Sequence, residues 1–102
     1  MAKQYYYRKQ IIEIFDVEDS FLDLLVAEDL VHPLQEVPGS EGVFPPDQVE
    51  RIRIIANLVK DLEVNLAGAE VILEMRENMI RMQNQFDEIL QELVRELKTR
   101  LP

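Results

Sequence analysis

The sequence predicts a mainly α-helical protein, in which a helix-turn-helix with a short β-hairpin wing is followed by one long amphipathic helix. Three observations predict this fold. Apolar residues recur at helical spacing through most of the chain. A segment rich in turn-forming residues, from Pro38 to Gly42, interrupts that pattern after two short helical stretches. From Leu66 onward no proline interrupts the helical pattern before Pro102.

Composition restricts both the size of the core and the kind of partner. The 102 residues leave room for one compact domain with an extension, and not for two full cores. An apolar fraction of 47% is enough to build that core. Twenty acidic residues against 11 basic ones give a formal charge of −9, which repels phosphate backbones on average. A basic protein is therefore a better match as partner than a nucleic acid.

The 20 carboxylates of the sequence lack the helper residues that acid–base or nucleophilic catalysis needs. The chain has no cysteine, which excludes disulfides, thiolate metal sites and thiol catalysis. Its single histidine, His32, precedes Pro33 at a predicted helix end, where a structural role is expected. The three glycines form no phosphate-binding pattern. We therefore expect no enzymatic activity, no catalytic residue, no metal, no cofactor and no small-molecule substrate.

The sequence also indicates where the protein acts. The first residues lack the apolar segment of a secretory signal. No apolar run approaches the roughly 18 residues that would suggest a membrane span. We expect a cytoplasmic protein that does not engage a membrane.

The N-terminal part is expected to form a strand and two short helices. The three tyrosines at positions 5–7 favour an extended segment. A first helix is expected to end near Asp16, and Asp16 or Asp19 is expected to cap a second helix. That helix should end before Pro33, because the residue before a proline avoids the helical region. The expected core residues of the two helices are Ile11, Ile12, Phe15, Phe21, Leu22 and Leu25.

A wing and a third helix follow. Residues 34–44 combine valines and a phenylalanine with turn residues near Gly39, which predicts a β-hairpin. Pro46 suits the first position of a helix, and Asp47 places negative charge in its first turn. Arg51 and Arg53 are expected to form salt links rather than to contact DNA. The expected core face of this helix consists of Val49, Ile52, Ile55, Ala56, Val59 and Leu62.

The last helix carries a coiled-coil-like seam. Asn65 is a suitable N-cap for it. Apolar residues alternate steps of three and four along it. These seam residues are Ile72, Met75, Met79, Met82, Phe86, Ile89 and Leu93. A helix of about 35 residues with such a stripe normally pairs with another helix.

A homodimer is the simplest way to cover the seam, with a fold-back onto the same chain as the alternative. The methionines also leave room for a heterologous partner. We expect residues 1–68 to form the helix-turn-helix domain and residues 69–102 to form the dimerisation or partner-binding helix.

Three segments carry a resemblance to a known family. Residues 49–55 (VERIRII) and 64–74 (VNLAGAEVILE) resemble heat-shock repressors of the MerR-type winged helix-turn-helix superfamily. Residues 29–33 (DLVHP) stand where that family has Gly-Leu-Ile or Gly-Leu-Val ending in proline. The resemblance covers roughly residues 5–80. It implies a MerR-like winged helix-turn-helix.

At several positions this chain has a residue of a different chemical type from the one typical of the family. The family signature Leu-Arg-x-Tyr-Glu falls on residues 22–26, where its arginine and tyrosine contact phosphates in DNA-binding members. Here Asp23 and Leu25 take those two places. The wing arginine is replaced by Gly42, and the serine that would cap the third helix is replaced by Pro45. A surface with these replacements is poorly suited to phosphate contacts.

One branch of the superfamily resembles this chain in having a surface poorly suited to phosphate contacts. Residues 16–19 (DVED) and the pair Leu30–Val31 resemble chaperone-modulator proteins of the CbpM type. That resemblance implies a protein that binds the J-domain of a DnaJ-like co-chaperone and inhibits its cooperation with Hsp70. J-domains present a basic helix, to which an acidic helix-turn-helix surface is complementary. The candidate protein-binding residues are Asp16, Asp19, Asp23, Glu28 and Asp29.

Two other functions remain open from the sequence. The first is a MerR-family, heat-shock-repressor-like transcriptional regulator that binds DNA as a dimer. The second is a helical assembly module in which only the long seam matters.

Overall fold

The computed structural model describes residues 5–34 and 42–100. Within these residues the order of elements is β1, α1, α2, β2, α3, a π-helical turn and α4. Their bounds are Tyr6–Tyr7 (β1), Arg8–Phe15 (α1), Asp19–Ala27 (α2), Val43–Phe44 (β2), Pro46–Ala56 (α3), Asn57–Asp61 (the π-helical turn) and Leu66–Arg100 (α4). The predicted fold class, mainly α with a small antiparallel strand pair and a long C-terminal helix, is confirmed.

The chain divides into two compact units, Met1–Glu70 and Val71–Pro102. The first unit contains the strand pair and the short helices. Strand β1 pairs antiparallel with β2, with Tyr6 opposite Phe44 and Tyr7 opposite Val43. Leu34 and Val43 also exchange two backbone hydrogen bonds of 2.7 Å each. This bridge lies at the base of the predicted wing, whose tip at residues 35–41 lies outside the described residues.

Helices α1 and α2 are joined by a tight turn. Asp16 ends α1 because it adopts a left-handed backbone with φ of 52°. Glu18 is the N-cap of α2 and makes no side-chain capping bond, while Asp19 is the first helical residue. The prediction that Asp16 or Asp19 caps α2 was therefore wrong. The carboxylate of Asp19 still lies near the positive end of the helix dipole.

The core of the first unit is formed by the inward faces of these elements. Its buried apolar residues are Ile11, Val17, Leu22, Leu25, Leu30, Val31, Phe44, Ile52, Ile55, Ala56 and Ala69. Of the other residues predicted to be core, Ile12, Phe15, Phe21, Val49 and Val59 are half-buried.

Leu62 departs from the prediction, because it is 62% exposed. The reason is the π-helical turn, in which the N–H of Leu62 bonds to the carbonyl of Asn57 five residues earlier. A wider turn rotates the following residues away from the face that a 3.6-residue period would give them. Helix α3 begins at Pro46, as predicted.

Helix α4 begins at Leu66. The Asn65 Oδ1 atom accepts a hydrogen bond of 2.7 Å from the Gly68 N–H, which confirms the predicted cap. In the second unit every seam residue is exposed, from 39% for Ile72 to 68% for Met79. Among the residues that the structure describes, no helix combines the length and apolar character needed to cross a membrane.

Candidate functional site

The outward side of α2 carries most of the candidate protein-binding residues. Leu22 and Leu25 are fully buried, so the opposite side of this helix faces solvent. We call this surface the α2 face; its exposed residues are Asp19, Ser20, Asp23, Leu24, Ala27 and Glu28. Asp19 and Asp23 stand one helical turn apart, and Glu28 immediately follows the helix. The structure thus places three of the five predicted carboxylates at exposed positions of α2 and its C-cap, with Asp19 and Asp23 on one flank of the helix and Glu28 on the other.

Two of these carboxylates share an internal cation. The Arg8 guanidinium lies 2.5 Å from the Asp19 carboxylate through Nη1 and 2.8 Å from the Asp23 carboxylate through Nη2. The Arg8 side chain is 18% exposed, whereas those of Asp19 and Asp23 are each 66% exposed. Both ion pairs link the start of α1 to α2. They hold the two carboxylates in place at the edge of the α2 face.

The charge state of Arg8 follows from these contacts. Partial burial by itself would lower its pKa. The hydrogen bond to Asp19 and the negative charges of Asp23 and Asp19 outweigh that effect, so the pKa of Arg8 lies above its ordinary value. The guanidinium is therefore permanently charged and offsets one of the two aspartate charges.

The remaining predicted carboxylates flank α2. Asp16 lies in the turn before α2, and its Oδ2 atom is 3.7 Å from the Nζ atom of Lys60. Lys60 also donates to the backbone carbonyls of Phe15 and Asp16, at the C-terminal end of α1. Asp29 follows α2 with a left-handed φ of 62°, and its Oδ1 atom is 3.3 Å from the Nδ1 atom of His32. Asp16 and Asp29 thus lie at opposite ends of the helix.

The positions that the resemblance to MerR-type repressors aligns with phosphate contacts are poorly suited to that role in this structure. Leu25 is fully buried, so its side chain is a core residue and is inaccessible to a ligand. Gly42 has a φ of 81°, and a Cβ atom there would stand 2.9 Å from the Leu34 carbonyl oxygen. An arginine at position 42 would be strained and would clash with backbone. The fold itself therefore disfavours a phosphate contact at either position.

The arginines of α3 are also engaged within the chain. The Arg51 Nε atom donates a hydrogen bond of 2.8 Å to the Leu30 carbonyl, which ties α3 to the segment after α2. Arg53 forms an ion pair with Glu50 three residues earlier, as expected from the sequence. That contact raises the pKa of Arg53 above its ordinary value. No cluster of three or more potential metal ligands occurs in residues 5–34 and 42–100.

Sequence reasoning missed two residues of this site. Arg8 was not expected to pair with α2, because eleven residues separate it from Asp19. Leu24 was not identified as exposed, although its position between the buried Leu22 and Leu25 does place it off the inward stripe. The helical period was the available signal for Leu24. No comparable local signal existed for Arg8.

The two short helices joined by a tight turn, the antiparallel pair of β1 and β2 and the long helix α4 define a helix-turn-helix protein. A family model described as MerR HTH family regulatory protein matches residues 7–97. The chain belongs to this family. No curated relative matches the sequence.

Proposed function

We propose that this MerR-family protein is a chaperone modulator, which binds the J-domain of a DnaJ-like co-chaperone through the α2 face and inhibits its cooperation with Hsp70. The observation that carries the proposal is the charge of α2 together with the turns on either side of it. Residues 16–29 contain six acidic residues and no basic one. In a helix-turn-helix that binds DNA, the second helix instead lies against a polyanion.

The geometry supports a cationic protein as partner. The Arg8-linked pair Asp19 and Asp23 presents exposed carboxylates on one flank of the α2 face, and Glu28 presents another on the opposite flank. A basic helix of a J-domain offers ammonium and guanidinium groups at the spacing of helical turns. Opposite potentials on the two surfaces accelerate the encounter and select the orientation of docking.

Loss of the phosphate contacts supports the same choice. DNA affinity depends on lysine and arginine side chains that neutralise phosphates. At the three positions that the resemblance aligns with phosphate contacts, this chain has an exposed aspartate, Asp23, a buried Leu25 and a glycine with positive φ, Gly42. A DNA-binding transcriptional regulator is the second candidate function, favoured by the family description alone.

A titration of the purified protein with a purified J-domain tests the proposal. We expect saturable binding that weakens as salt rises from about 50 to about 300 mM, because exposed charges are screened. We also expect the protein to suppress the stimulation of Hsp70 ATPase activity by the J-domain protein. Binding to a palindromic operator DNA, with no binding to the J-domain, would establish the second candidate instead.

A matched pair of variants locates the binding surface. Glu28→Gln removes one charge from the α2 face, and Glu74→Gln removes the same charge from an exposed position in α4. We expect the first variant to weaken J-domain binding about two- to five-fold at low salt and the second to leave it unchanged. Equal effects of both variants would mean that only the net charge of the protein matters.

A further inference from the structure

The α2 face has an apolar centre as well as an acidic rim. Leu24 is the exposed large apolar side chain of α2, at 43% of its full accessibility. Asp23 precedes it, Glu28 lies four residues later on the same side of the helix, and both are exposed. We infer that Leu24 is the apolar anchor through which the α2 face holds one basic amphipathic helix of a partner protein. This inference rests on the proposed function and deepens it.

The neighbours of Leu24 make it accessible to a helix. Ser20 lies four residues before Leu24, and Ala27 lies three residues after it, so both are its neighbours on the helix surface. Their side chains are small. A prominent leucine between two small residues forms a ridge with a shallow depression on either side, into which the side chains of a partner helix can pack.

The core does not account for the position of Leu24. The inward side of α2 is already formed by Leu22 and Leu25, both fully buried. Other exposed apolar residues of the first unit lie in different surroundings. Ile14, for example, lines a surface depression together with Arg53, Lys60 and Asp61, so its surroundings mix basic and acidic groups. Leu24 instead combines apolar area with nearby carboxylates, the arrangement of an interface with a hydrophobic centre and a polar rim.

The charge of the rim determines the occupant. A second copy of this chain would bring the same carboxylates together, and like charges at an interface oppose association. A helix with an apolar stripe flanked by lysine or arginine would match both the apolar centre and the acidic rim of the α2 face. Asp19 and Asp23 are held in position by Arg8, so they lose little side-chain freedom when such a helix binds.

Substitutions of Leu24 test the inference. Leu24→Ala removes the anchor and keeps every charge, whereas Leu24→Met conserves most of its volume. Ile14→Ala is the matched control, because it removes a similar exposed side chain from α1. Circular dichroism and thermal melting establish that each variant is folded. The probes are a purified J-domain and a synthetic basic amphipathic peptide that is helical in solution.

We expect Leu24→Ala to weaken J-domain binding about ten-fold, the effect typical of a central apolar contact. The salt dependence should be unchanged, because no charge has been removed. Leu24→Met and Ile14→Ala should bind within about two-fold of the wild type.

The outcomes separate the inference from the proposed function. If the J-domain binds the wild type and Leu24→Ala equally well, the inference is overturned while the proposed function stands. If the J-domain does not bind but the peptide does, and Leu24→Ala weakens the peptide complex, the inference stands without the proposed function. Failure of both probes overturns both. A change of oligomeric state caused by Leu24→Ala, measured by sedimentation, would assign Leu24 to contact between copies of this chain and overturn the inference.

Discussion

The Arg8 Nη2 atom lies 2.8 Å from the Asp23 Oδ1 atom, which joins the first residue of α1 to the middle of α2. The resemblance to MerR-type repressors places Asp23 where DNA-binding members have an arginine. An arginine at this position would lie beside Arg8, and the two positive charges would repel each other. The acidic residue is therefore part of the way the two helices are held together, as well as part of the α2 face.

Asp23→Arg should destabilise the protein, because it replaces an ion pair by a repulsion between two cations. We expect a loss of about 1 kcal/mol, since the aspartate is largely exposed. For a domain of this size such a loss lowers the melting temperature by roughly 4–8 °C. Thermal denaturation followed by circular dichroism measures the change.

A second substitution provides the control for this prediction. In the wild type, Arg8→Gln should lower the melting temperature, because two ion pairs are lost. In the Asp23→Arg background the same substitution should raise it, because the repulsion disappears and the new arginine stands four residues after Asp19. An equal change in both backgrounds would show that Arg8 and residue 23 do not interact.

Arg8→Gln should also change binding of a basic partner. The substitution leaves the carboxylates of Asp19 and Asp23 without their internal cation, so the α2 face becomes more negative. We expect the association rate with a J-domain to rise about two- to five-fold at low salt, and the gain to vanish at high salt. Stopped-flow measurements at two ionic strengths test this, and a slower association would indicate that Arg8 itself contacts the partner.

The exposed seam of α4 predicts self-association. Phe86 is 62% exposed and is the fifth of the seven seam residues. We expect the wild type to sediment as a dimer and Phe86→Glu to sediment as a monomer. The reason is that burying a carboxylate in a coiled-coil seam without an opposite charge beside it costs more free energy than the contact gains. Asn84→Asp is the control, since it adds the same charge two residues away, off the seam. A monomeric wild type would contradict the predicted homodimer.

Gly42→Ala should destabilise the base of the wing. The added Cβ atom would stand 2.9 Å from the Leu34 carbonyl oxygen, on a backbone with φ of 81°. We expect the free energy of unfolding to fall by about 1–3 kcal/mol, measured by urea denaturation.

Gly68→Ala is the comparison, because Gly68 is helical and alanine favours helices by roughly 1 kcal/mol. Its nearest contact would be the Val64 side chain at 3.0 Å, so we expect a smaller change than at Gly42. Equal losses at both positions would argue against backbone strain at Gly42.

Most helical elements could be predicted because their signals are local. Pro46 at the start of α3 and Asn65 before α4 act on backbone groups within one turn. The end of α1 near Asp16 was also predicted. The exposure of Leu62 was not, because the change to a wider π-helical turn leaves no clear mark in the composition of residues 57–61.

The site could be predicted only in part. The acidic character of residues 16–29 is visible in the sequence, and so is the absence of basic residues there. The pairing of β1 with β2 and the bond from Arg51 to the Leu30 carbonyl join segments that are distant along the chain. Such contacts depend on how the helices pack, which periodicity does not specify.

The sequence by itself determined the helical architecture, the acidity of α2 and the apolar period of α4, because each of these is a property of neighbouring residues. Tertiary structure decided which charges are paired and which side chains remain accessible. The packing of α1 brings Arg8 to Asp19 and Asp23, and burial of Leu22 and Leu25 leaves Leu24 on the surface. The physical reason is that ion pairing and burial depend on distances between helices, and those distances are set only when the core assembles.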